Sequence, residues 1–165
     1  MRPADAPDFY ERPAPEGRSR ESGIRLDPQG QFWHEGVRVE NLRMRRAFAT
    51  WIARHPVNGR WVLNNGYDWV YFAVEDAPLF VERIDEPAGT PLLVLSDGST
   101  QVLARSEVWI GQNDTVYVRQ STSHFTAKFS REAQLQLEPW LEELTAGEIG
   151  LALNGELIAI PCRLP

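Results

Sequence analysis

The chain has 165 residues, 42% of them apolar, with six Trp and seven Phe, enough for one domain or two small ones with a real core. Seventeen basic residues against twenty-three acidic give a net charge of −6, which excludes the basic footprint of bulk nucleic-acid binding. The apolar runs fall short of the ~18 residues of a membrane-spanning helix, the N-terminus lacks the apolar stretch of a secretory signal, and Cys162 is alone, so a cytoplasmic protein without nucleic-acid or membrane partners is expected.

Residues 1–23 spread Pro3, Pro7, Pro13 and Pro15 among charged groups, with Phe9 and Tyr10 as the bulky apolar side chains. Such a segment buries too little surface to offset its ordering entropy, so a disordered tail is expected. The sharper alternative is that Phe9 and Tyr10 dock on the body or on a partner. The folded part is expected to begin near Ile24, with short strands at 24–26, 31–34 and 37–39. The turns between them are Asp27-Pro28-Gln29-Gly30 and Glu35-Gly36. A helix is predicted at 41–54, capped by Asn41, with Met44, Ala47, Phe48, Trp51, Ile52 and His55 on one face. Pro56 imposes its end. Strands follow at 60–64, 69–74, 79–84, 91–95, 100–104, 108–110, 115–119 and 124–129, with Asp97-Gly98 marking a hairpin. Ser130 caps a second helix whose face carries Ala133, Leu137, Trp140, Leu141 and Leu144, with a kink or a restart at Pro139. Asn154-Gly155 turns a last hairpin between 149–153 and 157–160. The hairpin at 61–74 has a faint likeness to the one at 116–129.

Several short strings carry a family resemblance. They are Ile24-Arg25-Leu26 followed by Gly30, an aromatic pair and Glu35-Gly36; Arg46-Ala47-Phe48-Ala49; Val74-Glu75-Asp76-Ala77-Pro78; and Phe129-Ser130-Arg131 before a helix. Over residues 23–161 the chain resembles the bacterial family known as domain of unknown function 1285. The resemblance implies tandem, related α+β units with some likeness to pleckstrin-homology-type folds, and a role in signalling or ligand sensing. The chain departs from the family at 64–69, where a Thr-Pro-Val-Glu-like string is the family pattern. The expected architecture is α+β, with two related curved antiparallel sheets, each with a helix, packed in tandem. Its parts are a tail at 1–23, a first unit at 24–84 and a second at 85–165.

No catalytic motif is present in the sequence. His34-Glu35 begins like a zinc-protease motif, but Arg38 stands where the second histidine belongs. Ser123 and His124 are neighbours on an extended chain and point to opposite faces. No catalytic residue, metal ligand or cofactor is expected. Candidate ligand-binding residues are Arg43 and Arg46 on the first helix, Asn64, Asn65, Asp68 and Trp69 around the first hairpin turn, and the adjacent carboxylates Glu75 and Asp76. Each has a plainer reading: the Arg cluster as a solvated face paired with nearby acids, the aromatics as core, the carboxylates as caps of a rigid turn before Pro78. The leading expectation is a non-enzymatic binding or sensing module for a small ligand or acidic group. On that reading Trp69→Ala and Asp68→Ala weaken binding and leave folding largely intact. The alternatives are a protein-interaction module, a homodimer included, and an unrecognised hydrolase.

Overall fold

The computed structural model describes residues 2–163, and the chain divides into two units between Pro78 and Leu79. In the first unit the strands are β1 (Glu21–Leu26), β2 (Phe32–His34) and β3 (Val37–Arg38), then β4 (Ile52–Arg54), β5 (Trp61–Asn64) and β6 (Trp69–Val74). They form one sheet in the order β3-β2-β1-β6-β5-β4. In the second unit β7 (Leu79–Asp85), β8 (Leu92–Leu95), β9 (Thr100–Val102), β10 (Val108–Ile110), β11 (Val116–Arg119) and β12 (Thr126–Phe129) form a sheet in the order β10-β11-β12-β7-β8-β9. Numbered within its own unit and read from the opposite edge, the second order is the same as the first. Each sheet has one parallel pairing, β1 with β6 and β12 with β7, among antiparallel ones. The expected α+β fold with two related curved sheets is therefore present, with sheets that are mixed where the first and last strands of each meet. A third sheet of the second unit holds β13 (Leu141–Glu143), β14 (Ile149–Leu153) and β15 (Glu156–Ala159).

The helices differ between the units. Helix α1 (Leu42–Trp51) lies between β3 and β4, whereas α2 (Arg131–Leu137) follows β12. Both caps are those the sequence marks: Asn41 Oδ1 accepts from the Met44 amide at 3.1 Å, and Ser130 Oγ accepts from the Ala133 amide at 3.1 Å. Helix α1 stops three residues before the expected end because 52–54 pair with β5 as an edge strand. Ala49 is its buried residue, while Met44 and Leu42 are exposed. Pro139 sits inside a 3-10 turn (Glu138–Trp140) that restarts the chain after α2, a position where its missing N–H costs nothing. Asn154 and Gly155 both take positive φ, 52° and 78°, as the tight turn joining β14 to β15 requires.

The unit boundary and the tail both need correction. The boundary falls at Pro78 because β7 pairs with β8 and β12, so 79–84 belong to the second sheet. Among the described residues the tail expected at 1–23 is ordered, Met1 lying outside them: β1 starts at Glu21, and residues 2–20 fold over the face of the first sheet opposite α1. Phe9 is 1% exposed and packs on Val62 and Trp69, with Ala4, Tyr10, Ala53 and Tyr71 around them. Two effects explain the ordering. The prolines restrict the unfolded segment and so reduce the entropy lost on docking. The aromatic pair also lands on a row of rings that would otherwise face water. A sheet covered on both faces reads as apolar on both, which is why β6 runs Trp-Val-Tyr-Phe without polar alternation.

Asp27 fixes the β1–β2 hairpin. Its Oδ1 accepts from the Gln29 and Gln31 amides, both at 2.9 Å, and its Oδ2 from Trp33 Nε1 at 2.8 Å. Burial alone would raise its pKa; the bonds from Trp33, Gln31 and Gln29 and the charge of Arg25 outweigh burial and hold the carboxyl below its ordinary value. A folded pKa below the unfolded one gives stability that is fully present above the unfolded value of ~3.9 and lost as pH falls through the folded one. Asp27→Asn is therefore expected to lower unfolding free energy at neutral pH. The gap from wild type should close as acid titrates the carboxylate, as measured by urea denaturation across that range.

Candidate functional site

Two cavities of the first unit meet at the end of α1. One, of about 420 Å³, lies between Thr50 and Trp51 of the helix, Asn64 to Gly66 of the turn, and Arg2, Ala4 and Asp5 of the N-terminal segment. The other, of about 100 Å³, is lined by Phe48, Leu63 and Val70 and by Asp68 and Trp69. Trp51 and Asn65 line both.

The turn that shapes this cleft is built by its asparagines. Asn64 Oδ1 accepts from the Gly66 amide at 2.8 Å, and Asn65 Oδ1 accepts from the Tyr67 and Asp68 amides at 2.9 and 2.8 Å. Gly66 takes φ +89°, where a Cβ would be strained. The Gly66 carbonyl accepts from the Ala4 amide at 3.1 Å, which pins the N-terminal segment to the turn. The Asn64 amide nitrogen donates to the Tyr10 hydroxyl at 2.9 Å. The Asn65 amide nitrogen has no partner among the described residues, and it is a donor at the junction of the two cavities.

The structure thus brings Asn64, Asn65, Asp68 and Trp69 to one cleft. Arg43 and Arg46 are exposed on α1 and line neither cavity. Glu75 pairs with Arg25 at 2.7 Å, both side chains about 40% exposed, and its amide donates to the Leu26 carbonyl. Glu75 and the neighbouring Asp76 line neither cavity. His34 and His124, the histidines considered for a hydrolase, are exposed and likewise outside the two cavities. Among the described residues no three His, Cys, Asp or Glu side chains are grouped to hold a metal ion. None of the helices described is long and apolar enough to cross a membrane.

Trp69 is a correction. It is 4% exposed, its Nε1 donates to the Phe9 carbonyl at 3.2 Å, and the Arg20 guanidinium lies 4.3 Å from its ring centroid. Arg20 also donates to Asp68 at 2.6 Å, to the Trp69 carbonyl, and to the Arg12 and Pro13 carbonyls. Trp69 and Asp68 therefore hold the N-terminal segment as well as lining the smaller cavity. Trp51 was missed as a wall because its helical spacing placed it with the core. Arg2, Ala4 and Asp5 were missed because their composition pointed to disorder.

No family model and no curated protein matches the chain. Two solved structures do match in fold. A DUF1285 family protein from Silicibacter pomeroyi superposes with a TM-score of 0.67 at 18% identity, over 85% of this chain and 80% of its own. A DUF1285 family protein from Shewanella baltica gives 0.50 at 18% identity, over 68% of this chain and 87% of its own. The chain resembles DUF1285 proteins. At this identity the likeness to DUF1285 proteins is one of fold, and the site is argued from its own residues.

Trp69→Ala is expected to cost about 3–5 kcal/mol of stability, the range for removing a buried aromatic, instead of leaving the fold intact. Asn65→Ala, at an exposed turn, is expected to cost about 1 kcal/mol. Equilibrium denaturation of the two variants beside wild type checks the contrast.

Proposed function

We propose that the first unit is a non-enzymatic binding or sensing module that takes a small polar ligand in the cleft between α1 and the 64–69 turn. The observation that carries this reading is the convergence of two cavities on Trp51 and Asn65, an aromatic wall beside an unengaged amide donor. Apolar walls with a few placed polar groups are how small-molecule sites combine affinity with orientation. Asn65 and Arg2 offer donors on one side and the Asp5 carboxylate an acceptor on the other, so an acidic group set toward Asn65 and Arg2 is the ligand chemistry we propose. Thermal-shift screening against carboxylates, nucleotides and inorganic phosphate tests it. A ligand that binds only the folded state adds ~2.7 kcal/mol at a hundredfold excess over Kd. The expected result is a shift that Asn65→Ala and Trp51→Ala both abolish. A shift that survives both variants, or none across the panel, overturns the reading.

A second reading rests on a different surface. Arg38, Arg43 and Arg46 make no ion pair among the described residues, and Val37, Leu42 and Met44 beside them are 70%, 53% and 49% exposed. Unpaired guanidinium groups among exposed apolar side chains suit an acidic protein partner. A second copy would qualify, because the unit from Leu79 onward holds six basic residues against twelve acidic. Arg43→Glu with Arg46→Glu is expected to lower the oligomer mass measured by light scattering, and an unchanged mass counts against self-association through this face.

A further inference from the structure

The row of rings under the N-terminal segment has the properties of a peptide site. His55, Trp69 and Tyr71 touch one another, with centroids 5.2 Å apart for His55 and Trp69, 5.7 Å for His55 and Tyr71, and 5.1 Å for Trp69 and Tyr71. Strand β6 and the turn after β4 carry them, with further bonds from the Tyr71 amide to the Arg20 carbonyl at 2.7 Å and from Trp69 Nε1 to the Phe9 carbonyl. His55 Nδ1 accepts from the Val57 and Asn58 amides at 3.3 and 3.4 Å, and the Asn58 amide nitrogen donates to the Tyr71 hydroxyl at 2.8 Å. The His55 and Tyr71 side of the cradle is therefore braced by bonds that do not involve the N-terminal segment.

Its occupant is held as peptides are held. Phe9 fills the apolar pocket over Val62. Tyr10 sets its ring edge-on to His55 at 5.2 Å and tilted against Trp69 at 5.5 Å, and its hydroxyl is read by Asn64. The Phe9 main-chain carbonyl is read by Trp69 Nε1. Residues 2–19 add no strand to the sheet, and Phe9 is the sole fully buried residue among 2–20. Arg20 closes the exit, yet its buried Nε has no hydrogen-bond partner among the described residues. A segment anchored through two side chains on rings that the sheet and the turn after β4 carry, with an imperfect clasp, is built like a ligand that happens to be tethered.

We infer that the His55–Trp69–Tyr71 cradle is a recognition site for a peptide carrying adjacent Phe and Tyr, and that residues 2–20 are its built-in occupant. The site shares Trp69 with the smaller cavity and Asn64 with the larger one, but it stands whether or not that cleft binds a small ligand. The tether gives the internal copy a high effective concentration, so an outside peptide competes only when the internal one is weakened or displaced.

The test uses a labelled peptide spanning residues 2–16, followed by fluorescence anisotropy. Its target is the full chain carrying Phe9→Ala and Tyr10→Ala, whose own segment no longer competes. The peptide is expected to bind this variant saturably and wild type at least tenfold more weakly. A peptide with Ala at positions 9 and 10 should bind the variant at least tenfold more weakly than the natural one. A folded variant that ignores the peptide, or binds both peptides alike, overturns the inference. A second form guards against a folding defect. Wild type with a protease site inserted at Gly17, an exposed position with open space around it, is folded, cut and freed of the segment by gel filtration. The labelled peptide should rebind with the same preference. A cut segment that neither leaves nor exchanges, or a body that loses its native circular dichroism when the segment leaves, overturns the inference too.

Discussion

The first unit is organised around the desolvation of one indole. Trp69 carries an N–H that must find an acceptor once buried, and a large face that must find cover. The sheet supplies neither: Tyr71 on the same strand and His55 in the turn after β4 meet the ring edge-on. The acceptor is the Phe9 carbonyl and the cover is the Arg20 guanidinium. Both come from the N-terminal segment, some sixty and fifty residues away in the chain. Removing that segment would leave a buried-type residue on a solvated face, so the ordering of residues 2–20 and the choice of Trp at position 69 are one constraint seen from two ends.

The same segment also reaches the ligand cleft. Arg2, Ala4 and Asp5 form one wall of the larger cavity, while Phe9 and Tyr10 fill the cradle on the sheet face. A molecule held against that wall would favour the docked segment, and a peptide competing for the cradle would remove the wall. Linkage makes such effects reciprocal: whatever one ligand does to the other's affinity, the other returns by the same factor. A docked strap between two sites is the kind of two-position element through which such coupling can run.

Much of the architecture was legible because it is written in local chemistry. Asn41 and Ser130 announce their helices with side chains that satisfy specific amides, and Asn154-Gly155 announces its hairpin through the positive φ values it tolerates. The 64–69 turn was legible for the same reason, since Asn64 and Asn65 fold it with their own carbonyl oxygens. What composition could not convey is non-local. The parallel pairing of β1 with β6 joins strands far apart in the chain and leaves no mark in either. The end of α1 at Trp51 is decided by pairing of β4 with β5, against a helical pattern that runs on to His55. Phe9 and Tyr10 looked like isolated apolar groups in a polar tail because their partners, Val62, Trp69 and Asn64, are on strands whose faces the sequence does not label. Glu75 was an attractive ligand for the opposite reason: its neighbours are visible in the sequence, whereas its ion-pair partner Arg25 is fifty positions earlier.

The aromatic cradle also has an optical consequence. The Trp69 ring centroid lies 5.5 Å from that of Tyr10 and 5.1 Å from that of Tyr71, in fixed, non-parallel orientations. Rings locked in an asymmetric cluster give near-ultraviolet circular dichroism, which fades when packing loosens even if secondary structure persists. Tyr10 belongs to the strap and the other two to the sheet, so part of that signal exists only while the strap is docked. The protein carries its own chromophore for the event, read without any label.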